Sequence, residues 1–191
     1  IAVQGLGFVG SVMSLVCANA IKGDYAVIGV DLPNERGSKI VNDLNNGIFP
    51  LIAEDPKIEQ LFKKSLENGN FLASTDINTY KVADIIIVDI NLDVEKENHH
   101  LGTLNNYNID LSLFKKAITT IGQNCKKDAL ILVETTVPPG TCDKVVTSII
   151  YDCLKARNQS TKNIKIGHSY ERVMPGPDYI DSIQSFYRVY S

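Results

Sequence analysis

The apolar stretches of this chain are short, and the clearest of them do not alternate with polar residues. "DIIIVDI", Asp84 to Ile90, and the run Ala129-Leu130-Ile131-Leu132-Val133 are apolar at consecutive positions. A strand exposed on one side would alternate, so these read as strands covered on both faces. Further strand-like runs are Ile1-Ala2-Val3, Tyr25 to Val30, Phe71-Leu72-Ala73, Ala83 to Val88 and Ile164 to Gly167. Helical patterns separate them: Phe8 to Ile21, a segment near Arg36 to Leu44, and the stretch opened by Asp55-Pro56. In that last stretch Ile58, Leu61, Phe62 and Leu66 recur at helical spacing, and Asn68-Gly69 closes it. Asp110 is placed to cap a helix presenting Phe114, Ala117, Ile118 and Ile121 on one face. Another carries Val145, Val146, Ile149, Ile150 and Leu154. Strands alternating with helices imply βαβ units with right-handed crossovers. The expected fold is α/β, a Rossmann-type doubly wound, mostly parallel sheet with helices on both faces. Such folds bind ligands beyond the carboxyl ends of the strands, which marks where chemistry should be sought.

Composition narrows the function. The net charge of −3 over 191 residues argues against nucleic-acid or membrane-surface partners, which call for a basic face. No apolar run is long enough to cross a bilayer. Cys17, Cys125, Cys142 and Cys153 form no C-x-x-C pair, so the expectation is reduced thiols in a cytosolic protein and no metal site. His99-His100 lies in a polar, aperiodic stretch from Asn91 to Asn108, which reads as a functional loop rather than a metal site. The chain starts directly on a strand at Ile1 and ends at "FYRVYS", the pattern expected of a domain taken from a longer protein.

Five strand ends carry candidate residues. "GLGFVG" follows the first strand and opens a helix. Gly5 allows a tight turn, Gly7 lets the backbone approach a pyrophosphate, and Gly10 lets helix pack on strand. The N–H groups near Phe8 and Val9 would face the phosphates at the positive end of the helix dipole. Asp31, 21 residues after Gly10, stands where a carboxylate binds ribose hydroxyls and repels a 2′-phosphate, favouring NAD over NADP. Arg36 is the complication, since an arginine nearby could accommodate that phosphate. Val88, Asp89, Ile90 and Asn91 would line the nicotinamide edge, although residue type alone fits an ordinary strand end equally. In "ETTVPPGT", Glu134 to Thr141, Pro138 and Pro139 stiffen the turn, Gly140 bends it, and Thr141 is a natural N-cap. The turn does not explain Glu134, Thr135 or Thr136. In "SYERVMPG", Glu171 and Arg172 reach the same edge, where a structural salt bridge is an equally good account.

Taken together in chain order, "GLGFVG", "GVDLP", "LNNGIFP", "STD", "ETTVPPGT" and "ERVMPG" resemble the UDP-glucose/GDP-mannose (nucleotide-sugar) 6-dehydrogenase family, on the side of the UDP-N-acetylhexosamine branch. The resemblance implies an NAD-binding N-terminal domain covering residues 1–191. The linking helix, the UDP-sugar domain, and the catalytic cysteine and lysine would lie elsewhere. It also implies a cytoplasmic homodimeric enzyme oxidising a sugar alcohol to a carboxylate in two NAD-dependent steps joined by a thioester. Carried over, Thr136 would sit by the nicotinamide and Glu171 would be the acid/base that activates water. Three departures stand out: Asp89-Ile90-Asn91 replaces the usual Pro-Thr-Pro, Tyr170 replaces a proline, and Pro175 stands where some members have a second glutamate. Another two-domain NAD(P) dehydrogenase and a non-catalytic NAD sensor remain the competing readings.

Overall fold

The computed structural model describes residues 1–52, 54–92, 109–172 and 175–191. Most of the loop expected over residues 91–108, with His99-His100, lies outside the described residues, as do Val173 and Met174 of "ERVMPG".

The chain order is β1 (Ala2–Gln4), α1 (Phe8–Ala18), β2 (Val27–Val30), α2 (Glu35–Asn45), α3 (Pro56–Asn68), β3 (Phe71–Ser74), α4 (Thr79–Val82) and β4 (Ile85–Val88). It continues with α5 (Ser112–Asn124), β5 (Leu130–Val133), a π-helical turn (Cys142–Val146), α6 (Thr147–Ala156), β6 (Lys165–His168) and α7 (Tyr179–Ser185). The six strands form one sheet in the order β3-β2-β1-β4-β5-β6, every neighbouring pair parallel. The order reverses between β1 and β4. There the connections from the two strands leave on opposite sides and open a crevice.

The non-alternating runs are explained by the two packed faces. Ile86 and Val88 of β4 point into a core with Phe114, Ile118, Ile121, Ile150 and Leu154 of α5 and α6. Ile87 points into the other core, with Val12 and Leu15 of α1, Phe62 of α3 and Ile180 of α7. Ile86, Ile87 and Val88 of β4 are thus buried whichever way they face, and apolar burial is the main drive for this architecture. Gln4 is the polar exception on β1. It is buried and accepts a hydrogen bond from the buried Tyr80 hydroxyl of α4.

Several local expectations shift. The first helix stops at Ala18, short of Ile21, which is exposed, and Tyr25 precedes β2 rather than joining it. The short helices α4 and α7 have too few periodic positions to be read from sequence. Asp55 caps α3 as expected, its Oδ1 accepting from Lys57 N–H at 2.9 Å. Its Oδ2 accepts from Ile180 N–H at 2.8 Å, so one buried carboxylate ties α3 to α7. Asp110 accepts from Ser112 N–H at 2.8 Å, although Leu111 holds the cap position of α5. Thr141 is not a side-chain cap. Its backbone is already helical (φ −63°, ψ −40°), which points the hydroxyl away from the first-turn N–H groups, and the helix opens with the π-turn instead.

Candidate functional site: the crevice at the strand ends

The β1–α1 turn is built by backbone contact. Gly5 has φ +97°, and a Cβ there would lie 2.3 Å from the Asp89 carbonyl oxygen. A Cβ on Gly10 would lie 1.8 Å from the Gly5 carbonyl oxygen, so the turn closes only without side chains at these positions. Gly7 differs: a Cβ there would meet nothing within 4 Å. Its backbone instead lines a cavity of about 550 Å³. α1 begins at Phe8 with no acidic residue in its first turn, so nothing on the helix neutralises the positive end of its dipole. The first N–H groups of a helix have no acceptor within it and are available to an anion.

The same cavity is lined by Phe8, Val9 and Arg36 at one end and by Asp89, Ile90, Asn91, Glu134, Thr136 and Glu171 at the other. Topology alone brings these together, because β1, β4, β5 and β6 are neighbours and all end on this side. Four of the residues expected to touch the cofactor do not line the cavity. Gly5 and Gly10 shape the turn beneath it. Val88 is fully buried, its carbonyl accepting from Glu134 N–H at 2.9 Å and Thr135 N–H at 3.1 Å. Asp31 sits at the end of β2, where Oδ2 accepts from Leu6 N–H at 2.9 Å and Oδ1 from Leu32 N–H at 2.7 Å. Asp31 therefore clamps the glycine turn to β2. Each carboxylate oxygen keeps further acceptor capacity for a ribose hydroxyl.

The two threonines of "ETTVPPGT" divide the work. Thr135 is buried; its hydroxyl accepts from Ile90 N–H at 2.9 Å and donates to the Val88 carbonyl at 3.3 Å. It stitches the end of β5 to the end of β4. Thr136 is exposed, and both threonines line the cavity. Gly140, with φ +82°, bends the chain after the two prolines.

Glu134 is the residue sequence reasoning left without a purpose. It is 3% exposed, and its Oε1 accepts from Arg188 Nη1 at 2.7 Å. Arg188 arrives on the terminal segment, which pairs Ser191 with His168 of β6 through backbone hydrogen bonds of 2.9 and 3.0 Å. A separation of 54 residues left no signal for this pair in the sequence. Burial raises the Glu134 carboxyl to about 7; Arg188 opposes the rise and Glu171 adds to it. Burial likewise pushes Asp89 up to about 7, with Glu134 and Glu171 adding to the rise and Arg188 opposing it. Glu134 Oε2 and Asp89 Oδ2 are both shielded and have no hydrogen-bond partner among the described residues. The cysteines are free thiols, with Cys142 packed against the α5–α6 core, and the described residues hold no His/Cys/Asp/Glu group fit for a metal.

A parallel sheet with its order reversed at a glycine turn, a bare helix N-terminus facing the crevice and an acid at the end of β2 define a dinucleotide-binding domain of the dehydrogenase type. The glycine backbone that opens onto the cavity fits such a ligand. Comparison with known proteins makes this specific. Residues 1–187 match the NAD binding domain of the UDP-glucose/GDP-mannose dehydrogenase family, and the chain belongs to that family. It is 26% identical over 176 residues to the UDP-N-acetyl-D-mannosamine dehydrogenase of Pyrococcus horikoshii, covering 92% of this chain and 37% of that protein. To the enzyme of the same name from Methanocaldococcus jannaschii it is 31% identical over 181 residues, covering 92% and 35%. The crystal structure of NDP-N-acetyl-D-galactosaminuronic acid dehydrogenase from Methanosarcina mazei superposes with a TM-score of 0.84. That match has 23% identity and covers 99% of this chain and 38% of the other. The chain thus spans little more than a third of the length of these relatives.

Proposed function

We propose that this chain is the cofactor-binding part of an NAD-dependent nucleotide-sugar 6-dehydrogenase. That enzyme would oxidise the C6 alcohol of a UDP-hexose or UDP-N-acetylhexosamine to the uronic acid. The observation that carries the reading is the convergence of Thr136 and Glu171 on the cavity that begins at the α1 N-terminus. The N–H groups of Phe8 and Val9, with Arg36, hold the pyrophosphate, and Asp31 orients the adenosine ribose. NAD supplies the hydride acceptor. Thr136 orders the groups beside the nicotinamide, and Glu171 holds or moves the proton of a water attacking the oxidised carbon, for which it must come within hydrogen-bond reach. The cysteine, the lysine and most of the UDP-sugar contacts belong to a second domain. The intact enzyme is a cytoplasmic homodimer whose substrate lies between the domains.

Two measurements test this. Calorimetry with NAD and NADP should show NAD preferred; tight NADP binding with no NAD binding would refute the role of Asp31. The intact protein should reduce two NAD per UDP-sugar consumed, and Glu171→Gln should slow release of the acid more than the first reduction. One NAD per sugar, or none with any UDP-sugar, would refute the two-step reading.

A further inference from the structure

Arg188 is the inward-turning side chain of an otherwise exposed stretch. Tyr187 and Val189 on either side of it are 94% and 68% exposed, while Arg188 Nη1 reaches in to Glu134 Oε1 at 2.7 Å. Glu134 belongs to the cavity wall, yet its carboxyl offers a ligand nothing, because Arg188 holds Oε1 and Oε2 is shielded. Its influence on the cavity therefore runs through its backbone. Glu134 N–H donates to the Val88 carbonyl at 2.9 Å, and the Glu134 carbonyl accepts from Glu171 N–H at 3.1 Å. The terminal segment also packs directly on the Glu171 turn: residues 170–172 and 186–189 enclose a gap of only about 10 Å³, room for one water at most. Charge makes this placement conditional. Glu171 adds to the repulsion felt by Glu134, both add to that felt by Asp89, and Arg188 opposes it in each case. Without Arg188, an ionised Glu134 would be a buried charge among like charges, and relieving it would move the backbone that holds Glu171.

We propose that Arg188 is a positioning residue for Glu171: by holding the Glu134 side chain it fixes the backbone carbonyl to which Glu171 is hydrogen-bonded. The assignment rests on Glu171 being the acid/base of the proposed reaction. It makes the terminal segment part of the apparatus for releasing the acid, although none of its side chains meets the substrate.

The test uses the intact enzyme above neutral pH. The first NAD reduction and the release of acid from a UDP-sugar are timed separately, and NAD affinity is measured by calorimetry. Arg188→Met removes the cation. Arg188→Met with Glu134→Gln removes both charges, so no charge is left buried alone and the fold is kept. In both variants acid release should slow by about ten- to a hundredfold, the range for a reacting group displaced by about 1 Å. The first reduction and NAD affinity should stay within about twofold of wild type. Arg188→Lys, which keeps a cation, should lose less than Arg188→Met. On a Glu171→Gln background, Arg188→Met should cost acid release nothing further, because the group it positions is gone. Unchanged acid release, equal slowing of both steps, or a full additional loss on the Glu171→Gln background would overturn the proposal while leaving the two-step reaction intact. Wild-type acid release by Glu171→Gln itself would overturn the acid/base reading and this inference with it.

Discussion

Two carboxyl groups raised to about 7 inside one fold must leave a mark on its pH stability. Take Glu134 first. Between 4.5, the ordinary value, and about 7, the folded chain keeps a proton on Glu134 that the unfolded chain has released. The native state binds more protons than the unfolded state over that interval, so stability falls as pH rises through it. At about 1.4 kcal/mol per pH unit, the interval from 4.5 to about 7 amounts to roughly 3 kcal/mol. Asp89 acts in the same direction, from 3.8 to about 7. Glu134 is one cause of the rise at Asp89, so their effects overlap rather than add in full. The depressed carboxyls, Asp84 and Asp110, work below 3.8 and do not mask this window. Urea unfolding followed by circular dichroism between about pH 4.5 and about pH 7.5 should show wild-type stability dropping by about 3 kcal/mol or somewhat more. Glu134→Gln should flatten the slope by more than its own share, because it also relieves Asp89, and adding Asp89→Asn should flatten it further. The slope is the readout, so a uniform loss of stability in a variant does not obscure it. A wild-type profile that is level or rises over this window would refute the burial argument.

Two substitutions separate structural from functional residues. Thr135→Val keeps the shape but leaves Ile90 N–H without its 2.9 Å acceptor; it should destabilise by about 1–3 kcal/mol in urea. Thr136→Val, on the exposed side of the same turn, should change stability by no more than about 0.5 kcal/mol. Asp55→Ala removes the α3 cap and the acceptor for Ile180 N–H together, and a loss of about 2–4 kcal/mol is expected. A loss below about 1 kcal/mol would mean that the α3–α7 tie contributes little.

Much of the site was legible in the sequence because it is local. The glycine turn, the acid at the end of β2 and the stiff "PPG" bend are each set by neighbouring residues and backbone sterics. The non-alternating runs announced a sheet covered on both faces, and strand–helix alternation then placed the ligand at the strand ends. The sequence could not tell Thr135 from Thr136. Both are hydroxyls on one turn, and only the β4 backbone running alongside makes Thr135 a buried stitch and leaves Thr136 exposed. Thr141 departs from a side-chain cap for a similar reason, since a cap depends on the dihedral angles at which the helix starts, and this one starts in a π-turn.

The sequence by itself, then, determined the parallel sheet, the side on which it binds and the motifs that tie it to its family, because periodicity and short motifs record nearest-neighbour physics. Tertiary structure alone decided that Glu134 would be buried, that Arg188 would reach it from 54 residues away, and that Asp89 would stand beside it with a shielded oxygen that has no partner among the described residues. The protonation of a carboxyl depends on the water and charge around it, and those are fixed only when β4, β5, β6 and the terminal segment lie side by side.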